Sequence, residues 1–342
     1  MDDCYLRALG RLTAGEDLDA ALLEEALGEI LAGRWNHVET AAFLTAMRSK
    51  GVTRPEVVAA ARCLLGIMRP VELPDAAEVL DTAGTGGDRK GTFNISTAAA
   101  FAAAACGVRV AKHGNRAMSG TCGSSDVLAA LGARLDLDPA ATAACFAKTG
   151  ICFMAAPAHH PALKEVAPVR AQLRVRTMFN LLGPLLNPAR VGCHLAGIYD
   201  GAWLTPYAEA FRDLGVRRAV VVHAADGTDE FVLAGPARYA VLDETGAIAE
   251  HDFDPADLGL AGHDSEALLA ADKEHAARLF RAALAGEKEA PAAAVALNAA
   301  AALFAAGRVP DLAAGLAQAQ EAIASGRAAA KLDEFIKATQ EL

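Results

Sequence analysis

The sequence predicts an α/β protein in which a small N-terminal all-helical domain precedes a larger α/β domain with a mainly parallel central sheet. Up to about residue 70, apolar residues recur at helical spacing and no convincing strand is present. From Val79 onwards, short apolar runs alternate with helical segments. Because parallel strands are joined by crossover helices, this alternation favours a parallel sheet. A length of 342 residues accommodates two domains or one large one.

The N-terminal region contains clear start and stop signals for helices. The apolar residues within 18–31 share one helical face, which stops at Gly33, and a second helix is expected over 36–51. Thr53-Arg54-Pro55-Glu56 has the spacing of a capping box with an early proline, which predicts a third helix over 57–68. Pro70 and Pro74 then bound a linker, so we place the helical domain at 1–72 and the α/β domain at 73–342.

The α/β region is expected to contain strands at 79–82, 108–111, 151–155 and 219–222. Helices are predicted at 97–106, from Asp138-Pro139 onwards, and, in a helical C-terminal part, at 290–306 and 311–325. The loop between the second strand and the next helix is expected to begin at Lys112.

The composition, with 53% hydrophobic and 22% charged residues, is that of an ordinary globular protein. No stretch approaches the roughly 20 apolar residues that a membrane span requires. The N-terminus Met1-Asp2-Asp3-Cys4 lacks the basic start and apolar run of a signal peptide. We therefore expect a cytoplasmic protein with no membrane partner. The seven scattered cysteines form no Cys-x-x-Cys pair, so reduced thiols are expected rather than disulfides or a zinc site.

The net charge of −10 argues against a nucleic-acid partner for the surface as a whole. Its distribution is uneven, because 89–190 contains twelve Lys and Arg against four acids, whereas the rest of the chain carries −18. A basic middle in an acidic protein fits a small anionic ligand, although chance clustering on a solvated surface is the alternative.

Two small-residue loops follow predicted strands and are candidates for binding phosphate. Gly84-Thr85-Gly86-Gly87-Asp88 lets backbone N–H groups approach an anion where a Cβ would obstruct it, although such a loop alone is commonly a plain turn. Asn94, Ser96 and Thr97 then precede an apolar helix, and they suit either N-capping or anion binding. The second loop, 119–126, contains Gly120 and Ser124 and also precedes a helix.

Charged and amide side chains occur at three further places. Lys112-His113-Gly114-Asn115-Arg116 follows a strand, where α/β proteins bind ligands. Asp229-Glu230 follows a buried strand, and paired carboxylates suit magnesium, although adjacent acids in a loop are commonly just solvated. Arg170 could present its guanidinium fork to a carboxylate, or be an ordinary surface arginine.

In this order, these segments resemble the anthranilate phosphoribosyltransferase family of tryptophan biosynthesis. The resemblance rests on Asp81 to Asp88, Asn94-Ile95-Ser96-Thr97, Lys112 to Arg116, Gly123-Ser124-Ser125-Asp126, His160 to Lys164, Arg170, Asn180-Leu181-Leu182-Gly183-Pro184 and Asp229-Glu230. It covers essentially the whole chain.

The resemblance implies a homodimer that transfers the 5-phosphoribosyl group from phosphoribosyl pyrophosphate to the amine of anthranilate. The products are N-(5-phosphoribosyl)anthranilate and pyrophosphate, in the second step of tryptophan biosynthesis from chorismate. It also implies Mg²⁺, with two ions of which one or both arrive with phosphoribosyl pyrophosphate, and a helical segment near 160–185 that joins the helical domain.

The resemblance further implies roles for individual residues. The contacts implied for phosphoribosyl pyrophosphate are Gly84, Gly87, Asp88, Thr92, Asn94, Ile95, Ser96, Thr97, Lys112, Gly120 and Ser124. Those implied for anthranilate are Gly84, Asn115, His160 and Arg170, and the implied metal ligands are Ser96, Asp229 and Glu230. The implied catalytic residues are Lys112, His113, Asn115 and Arg170, with His113 and His160 near the access path.

Two other functions stay possible at this point. A pyrimidine nucleoside phosphorylase resembles the same architecture, and a non-catalytic relative could bind nucleic acid. The chain also departs from the family's usual pattern at Ala155, Arg174 and Thr228, where an aromatic residue, Gly and Leu are commoner. These departures concern the shape of the acceptor site and remove none of the proposed ligands.

Overall fold

A computed structural model of the protein describes residues 4–87, 90–116 and 122–342. The N-terminal helices are α1 (Cys4–Thr13), α2 (Ala20–Leu31), α3 (His37–Lys50) and α4 (Arg54–Ile67). They are followed by α5 (Ile95–Ala105), α6 (Ser124–Ala130), α7 (Pro139–Thr149), α8 (Ala156–His159), α9 (Ala167–Leu173), α10 (Phe179–Leu182), α11 (Leu204–Asp213), α12 (Lys273–Leu284), α13 (Glu289–Ala305), α14 (Leu312–Ala324) and α15 (Arg327–Glu341). The strands are β1 (Leu80–Thr82), β2 (Val110–Gly114), β3 (Ile151–Ala155), β4 (Cys193–Gly197), β5 (Arg218–Ala224), β6 (Ala237–Leu242) and β7 (Ile248–Phe253).

The capping box predicted at Thr53 and Glu56 is confirmed and lies at the start of α4. Glu56 also stabilises the bundle. Its carboxylate accepts the Thr53 N–H at 2.8 Å, which satisfies one of the open donors at the start of α4. The same buried side chain accepts the Leu18 N–H at 3.0 Å and the Lys50 ammonium at 2.9 Å. Because each of these donors belongs to a different segment, Glu56 ties the linkers before α2 and α4 to the end of α3.

The sheet has seven strands in the order β3-β2-β1-β4-β5-β6-β7, and the expectation of a mainly parallel sheet is confirmed. The first five strands in this order pair in parallel, whereas β6 and β7 pair antiparallel at one edge. Three of these strands, β4, β6 and β7, were not predicted from the sequence. β4 includes His194 and ends at Gly197, and β7 is largely exposed, so neither shows the apolar run that marks a buried strand.

The expectation that a loop begins at Lys112 is wrong, because β2 continues to Gly114. Lys112 and His113 pair with Phe153 and Met154 of β3, and their side chains are buried although both are polar. Pairing with β3 satisfies the backbone hydrogen-bonding groups of both residues, so the strand continues to Gly114 at the carboxyl edge of the sheet.

Helices cover both faces of the sheet. In β5, Val220 and Val222 pack in the core formed with α5 and the C-terminal helices, whereas Ala219 and Val221 pack in the core shared with the helical bundle and α11. This alternation follows from the period of two along a strand. Burial on both faces explains why the strand reads as a continuous apolar run.

The order of the strands creates a crevice beside β1. From β1 the chain proceeds towards one edge through β2 and β3, and it then returns to place β4 on the other side of β1. Loops leaving the carboxyl ends of β1 and β4 therefore diverge, and such a switch point is where open α/β sheets bind ligands. The glycine loop that follows β1 lies at this point.

None of the seven cysteines, all of which lie in the described part, forms a disulfide. Within residues 4–87, 90–116 and 122–342, no helix has the length and apolarity needed to cross a membrane.

Arg174, a departure from the family pattern, ends α9 in the left-handed backbone conformation, with φ at 52°. Glycine adopts this conformation without steric cost, whereas other residues are strained there. We therefore expect Arg174→Gly to raise the free energy of unfolding by about 1 kcal/mol in urea denaturation. Arg174→Ala keeps the strain and serves as the control. Equal stability of the Gly and Ala variants would contradict this explanation.

Candidate active site

A cavity of about 360 Å³ opens at the carboxyl ends of the central strands. It brings together most of the residues that the sequence singles out. These are Gly84, Gly87, Thr92, Asn94, Ser96, Thr97, Lys112, His113, Asn115, Ser124, His160, Arg170, Asp229 and Glu230. They come from the ends of β1, β2 and β5, the start of α5, and the helical segment that follows β3.

One proposed site residue, Ile95, does not line the cavity, and two others lie outside the described residues. The side chain of Ile95 packs in the core beneath α5, and Ile95 is not among the cavity-lining residues. Asp88 and Gly120 lie outside the residues that the structure describes.

The glycine loop rests on the carboxylate of Asp229. Gly86 donates its N–H to Asp229 Oδ2 at 2.7 Å, and Thr85 donates its N–H to the Gly197 carbonyl at 2.8 Å. A Cβ on Gly84 would collide with the same carboxylate, so only glycine allows this approach. Two loop amides therefore have acceptors within the protein, and side chains must supply more of the contacts to an anion than the glycine pattern suggests.

The start of α5 also faces the carboxylate pair. Ser96 donates its N–H to Glu230 Oε1 at 3.2 Å, and its carbonyl accepts the hydroxyl of Thr82 at 3.0 Å. Asn94 occupies the N-cap position of α5, but its side chain makes no capping hydrogen bond. Its Nδ2 donates instead to the Cys122 carbonyl at 3.1 Å, and its buried Oδ1 has no hydrogen-bond partner among the described residues.

Lys112 is a buried cation beneath the loops. Its Nζ donates to the carbonyl of Thr82 and lies 3.3 Å from the Thr82 hydroxyl. Burial lowers the pKa of its ammonium, and the nearby carboxylates of Asp81, Glu230 and Asp229 oppose this shift. These carboxylates therefore favour the charged form at the point where an anionic ligand would lie.

Ser124, at the start of α6, contacts the backbone just after β2. The Ser124 hydroxyl accepts the Asn115 N–H and donates to the Asn115 carbonyl, both at 3.2 Å. A Cβ on Gly114 would collide with this hydroxyl and with Phe153. These contacts hold Asn115 and Ser124 together at one wall of the cavity.

Arg170 of α9 is a half-buried residue that lines the same cavity. Its Cζ lies 5.4 Å from the ring centroid of Phe179, and it forms no ion pair with any residue that the structure describes. Burial lowers the pKa of Arg170 to about 10, so the side chain remains charged at neutral pH. A cation that is desolvated without a carboxylate partner is suited to binding an anion that enters the cavity.

His113 and His160 lie beside each other, with ring centroids 5.2 Å apart. His113 Nδ1 is 3.2 Å from the Gly183 carbonyl, and because a carbonyl only accepts, this nitrogen carries the proton. His113 Nε2 then keeps its lone pair, and it has no hydrogen-bond partner in the described part of the chain. Burial lowers the pKa of His113 well below its usual value and that of His160 to about 4, so both rings are neutral at pH 7.

Asp81 and Asn187 support the site but were not predicted. Asp81 Oδ1 accepts the His113 N–H at 3.1 Å, and its Oδ2 accepts Asn187 Nδ2 at 2.8 Å. Burial raises the pKa of Asp81 to about 6, against the attraction of Lys112. The sequence did contain a signal for Asp81, because an acidic residue inside a buried strand needs a hydrogen-bonding or charged partner.

The remaining departures from the family pattern lie close to the cavity. Ala155 ends β3 opposite Gly114, and Thr228 is buried directly before Asp229. Neither lines the cavity.

The depressed pKa of His160 predicts a pH-dependent loss of stability. Below the usual pKa of 6.5 the unfolded chain binds a proton that the folded protein excludes until about pH 4, so stability falls through this window. Between about pH 7 and about pH 5, we expect the wild type to lose about 2 kcal/mol more than His160→Gln in urea unfolding. A difference between the two proteins that is independent of pH would contradict the assignment.

Comparisons with known proteins agree with this arrangement. Residues 6–66 match a family described as glycosyl transferase family, helical bundle domain, and residues 76–329 match the glycosyl transferase family, a/b domain. The chain is 45% identical over 339 residues to an anthranilate phosphoribosyltransferase of Methylobacterium radiotolerans, which covers 99% of this chain and 97% of that protein.

Two solved structures extend the comparison to the fold. The crystal structure of anthranilate phosphoribosyltransferase from Thermus thermophilus is 40% identical, with a TM-score of 0.89, and covers 97% of this chain and 99% of its own. The Saccharomyces cerevisiae enzyme in complex with phosphoribosyl pyrophosphate and magnesium is 26% identical, with a TM-score of 0.90, and covers 100% and 99%. Since close identity and the same architecture both extend over nearly the full length, the chain belongs to the anthranilate phosphoribosyltransferase family.

Proposed function

We propose that this protein transfers the 5-phosphoribosyl group from phosphoribosyl pyrophosphate to the amine of anthranilate, releasing pyrophosphate. One observation carries the proposal. One cavity is lined by polar side chains of β2 and α5, by Asp229 and Glu230, and by Arg170, which forms no ion pair with any described residue. A donor with a large phosphate charge and a small acceptor with a carboxylate match these two groups of side chains.

The acceptor wall suits anthranilate in particular. Arg170 binds the carboxylate through its fork, and Phe179 beneath the guanidinium offers an apolar surface for the ring. The aromatic amine is neutral at pH 7, so attack at the ribose C1 requires no strong base. The pKa of His113 lies well below its usual value, so its neutral ring is a weak base for the proton that leaves the amine. Asn115 helps to aim the amine.

The donor wall binds the phosphoribosyl pyrophosphate. Gly84 and Gly87 allow close approach of the loop, and Lys112 supplies a buried positive charge. The polar side chains of Thr92, Asn94, Ser96, Thr97 and Ser124 complete this wall. Charge that develops on the departing pyrophosphate is stabilised by groups that are already in position, which is the main source of acceleration in such a site.

Ser96, Asp229 and Glu230 suit Mg²⁺, because all three offer oxygen atoms at the cavity. Among the described residues, no group of three or more His, Cys, Asp and Glu side chains forms a complete metal site. Magnesium is commonly held by one or two carboxylates plus substrate phosphate oxygens, so the two facts agree. When bound, Mg²⁺ neutralises charge on the pyrophosphate. We propose two ions, of which one or both arrive with phosphoribosyl pyrophosphate.

The proposal includes a cytoplasmic homodimer. Leu6 on α1 and Val38 on α3 are large apolar side chains that are 62% and 76% exposed. Because α1 and α3 pack against each other in the bundle, these exposed residues support a contact with a second copy through this domain.

Release of pyrophosphate tests the reaction. We expect one pyrophosphate for each anthranilate consumed, with release that requires both substrates and Mg²⁺. Pyrophosphate release at the same rate without anthranilate would contradict transfer, and phosphorolysis of thymidine would instead support a nucleoside phosphorylase.

A further inference from the structure

Arg176 lies at the glycine loop although it comes from the segment between α9 and α10. Its Nη2 donates to the carbonyl of Gly87, and its Cζ is 3.7 Å from the ring centroid of Tyr199. No carboxylate among the described residues pairs with this guanidinium. The ring and the carbonyl together therefore fix its position.

The hydrogen bond from Arg176 fixes the orientation of a carbonyl group that a glycine loop leaves free to turn. Gly87 has φ at 82°, and glycine samples both signs of φ readily, so the orientation of its carbonyl is not fixed by local sterics. A carbonyl that turned towards the cavity would repel phosphate oxygens. The charged hydrogen bond from Arg176 holds this carbonyl towards the guanidinium.

Tyr199 contacts the same loop through its backbone. It follows β4, and its N–H donates to the Thr85 hydroxyl at 3.2 Å. The Arg176 side chain thus contacts Gly87 and the Tyr199 backbone contacts Thr85, and the Arg176 guanidinium lies over the Tyr199 ring. Asp229 holds Gly86 between them.

Arg176 is also anchored to the helical bundle. Its backbone carbonyl accepts Arg48 Nη1 of α3 at 2.6 Å. The glycine loop is therefore linked to α3 through a single residue, so the position of the bundle and the shape of the loop depend on each other.

We propose that Arg176 is a positioning residue that holds the glycine loop in its phosphate-accepting shape, with Tyr199 as its platform. The inference rests on the proposed function, since it assigns Arg176 to the binding of phosphoribosyl pyrophosphate. Arg176 acts on the donor through Gly87, whereas anthranilate binds at the wall formed by Arg170.

The test measures binding of phosphoribosyl pyrophosphate with Mg²⁺ by calorimetry, without anthranilate, and then the KM of each substrate. Arg176→Ala is expected to weaken donor binding by about tenfold or more, because a hydrogen bond from a charged group is lost. The KM for anthranilate should not change. Arg176→Lys should recover part of the affinity, and Tyr199→Leu should weaken it in the same direction.

Arg174→Ala is the matched control, because Arg174 is exposed, lies two residues away and does not line the cavity. Unchanged donor affinity in both Arg176→Ala and Tyr199→Leu overturns the inference while the proposed function stands. Equal loss for both substrates with a lowered Tm also overturns it, since that result indicates a general structural role. If the wild type binds no phosphoribosyl pyrophosphate, the proposed function fails as well.

Discussion

Replacing Asp229 and Glu230 together by Asn and Gln should abolish magnesium-dependent turnover, with kcat/KM falling by at least about a thousandfold. Both replacements keep the shape and an oxygen acceptor for the N–H groups of Gly86 and Ser96, so the loop contacts are preserved. The loss then reports the negative charge needed to hold Mg²⁺ at the pyrophosphate.

Asp226→Asn provides the matched control for the carboxylate pair. Asp226 is an exposed acid of the same loop and pairs with Lys90 at 3.0 Å, but it does not line the cavity. This variant should retain activity over the same range of Mg²⁺ concentrations. Full activity in the Asp229 and Glu230 double variant would rule out the metal assignment.

Arg170→Ala should raise the KM for anthranilate strongly while affecting the donor little. A charge-assisted fork to a carboxylate is worth roughly 2 to 4 kcal/mol, which corresponds to between about thirtyfold and several hundredfold. Because Arg170 has no ion pair to lose among the described residues, truncation leaves no buried carboxylate unpaired. The change in the KM for anthranilate therefore reports the lost contact with the substrate and not a loss of folding stability.

Steady-state kinetics with each substrate varied in turn distinguish this effect from general damage. Arg170→Lys keeps the charge and loses the planar fork, so its KM for anthranilate should lie between those of the wild type and Arg170→Ala. Arg174→Ala, on the same segment, should leave both KM values unchanged. An unchanged KM for anthranilate in Arg170→Ala would remove Arg170 from the acceptor site.

The sequence predicted the elements whose signals are local. The capping box at Thr53 and the apolar runs of β3 and β5 were recognisable because caps and buried strands leave short-range patterns. β4 was missed because its pairing with β1 and β5, and not an apolar run, makes it a strand. The extension of β2 through Lys112 and His113 was missed because polar residues at the end of a strand resemble a loop.

The same distinction applies to the site. The resemblance and the polar loops identified the residues that line the cavity, since these occur in short motifs. The supporting contacts join residues that are far apart in the chain, such as Asp81 with Asn187 and Arg176 with Gly87. No spacing along the sequence encodes such pairs. Likewise, only the three-dimensional structure shows that the N–H groups of Thr85 and Gly86 already donate to acceptors within the protein.

Consumption of anthranilate, followed by its fluorescence, tests the central claim most directly. With purified protein, phosphoribosyl pyrophosphate and Mg²⁺ together, the fluorescence should decay to completion when the donor is in excess. Omission of phosphoribosyl pyrophosphate, or chelation of Mg²⁺, should each prevent the decay. An anthranilate signal that stays constant with every component present would contradict phosphoribosyl transfer by this protein.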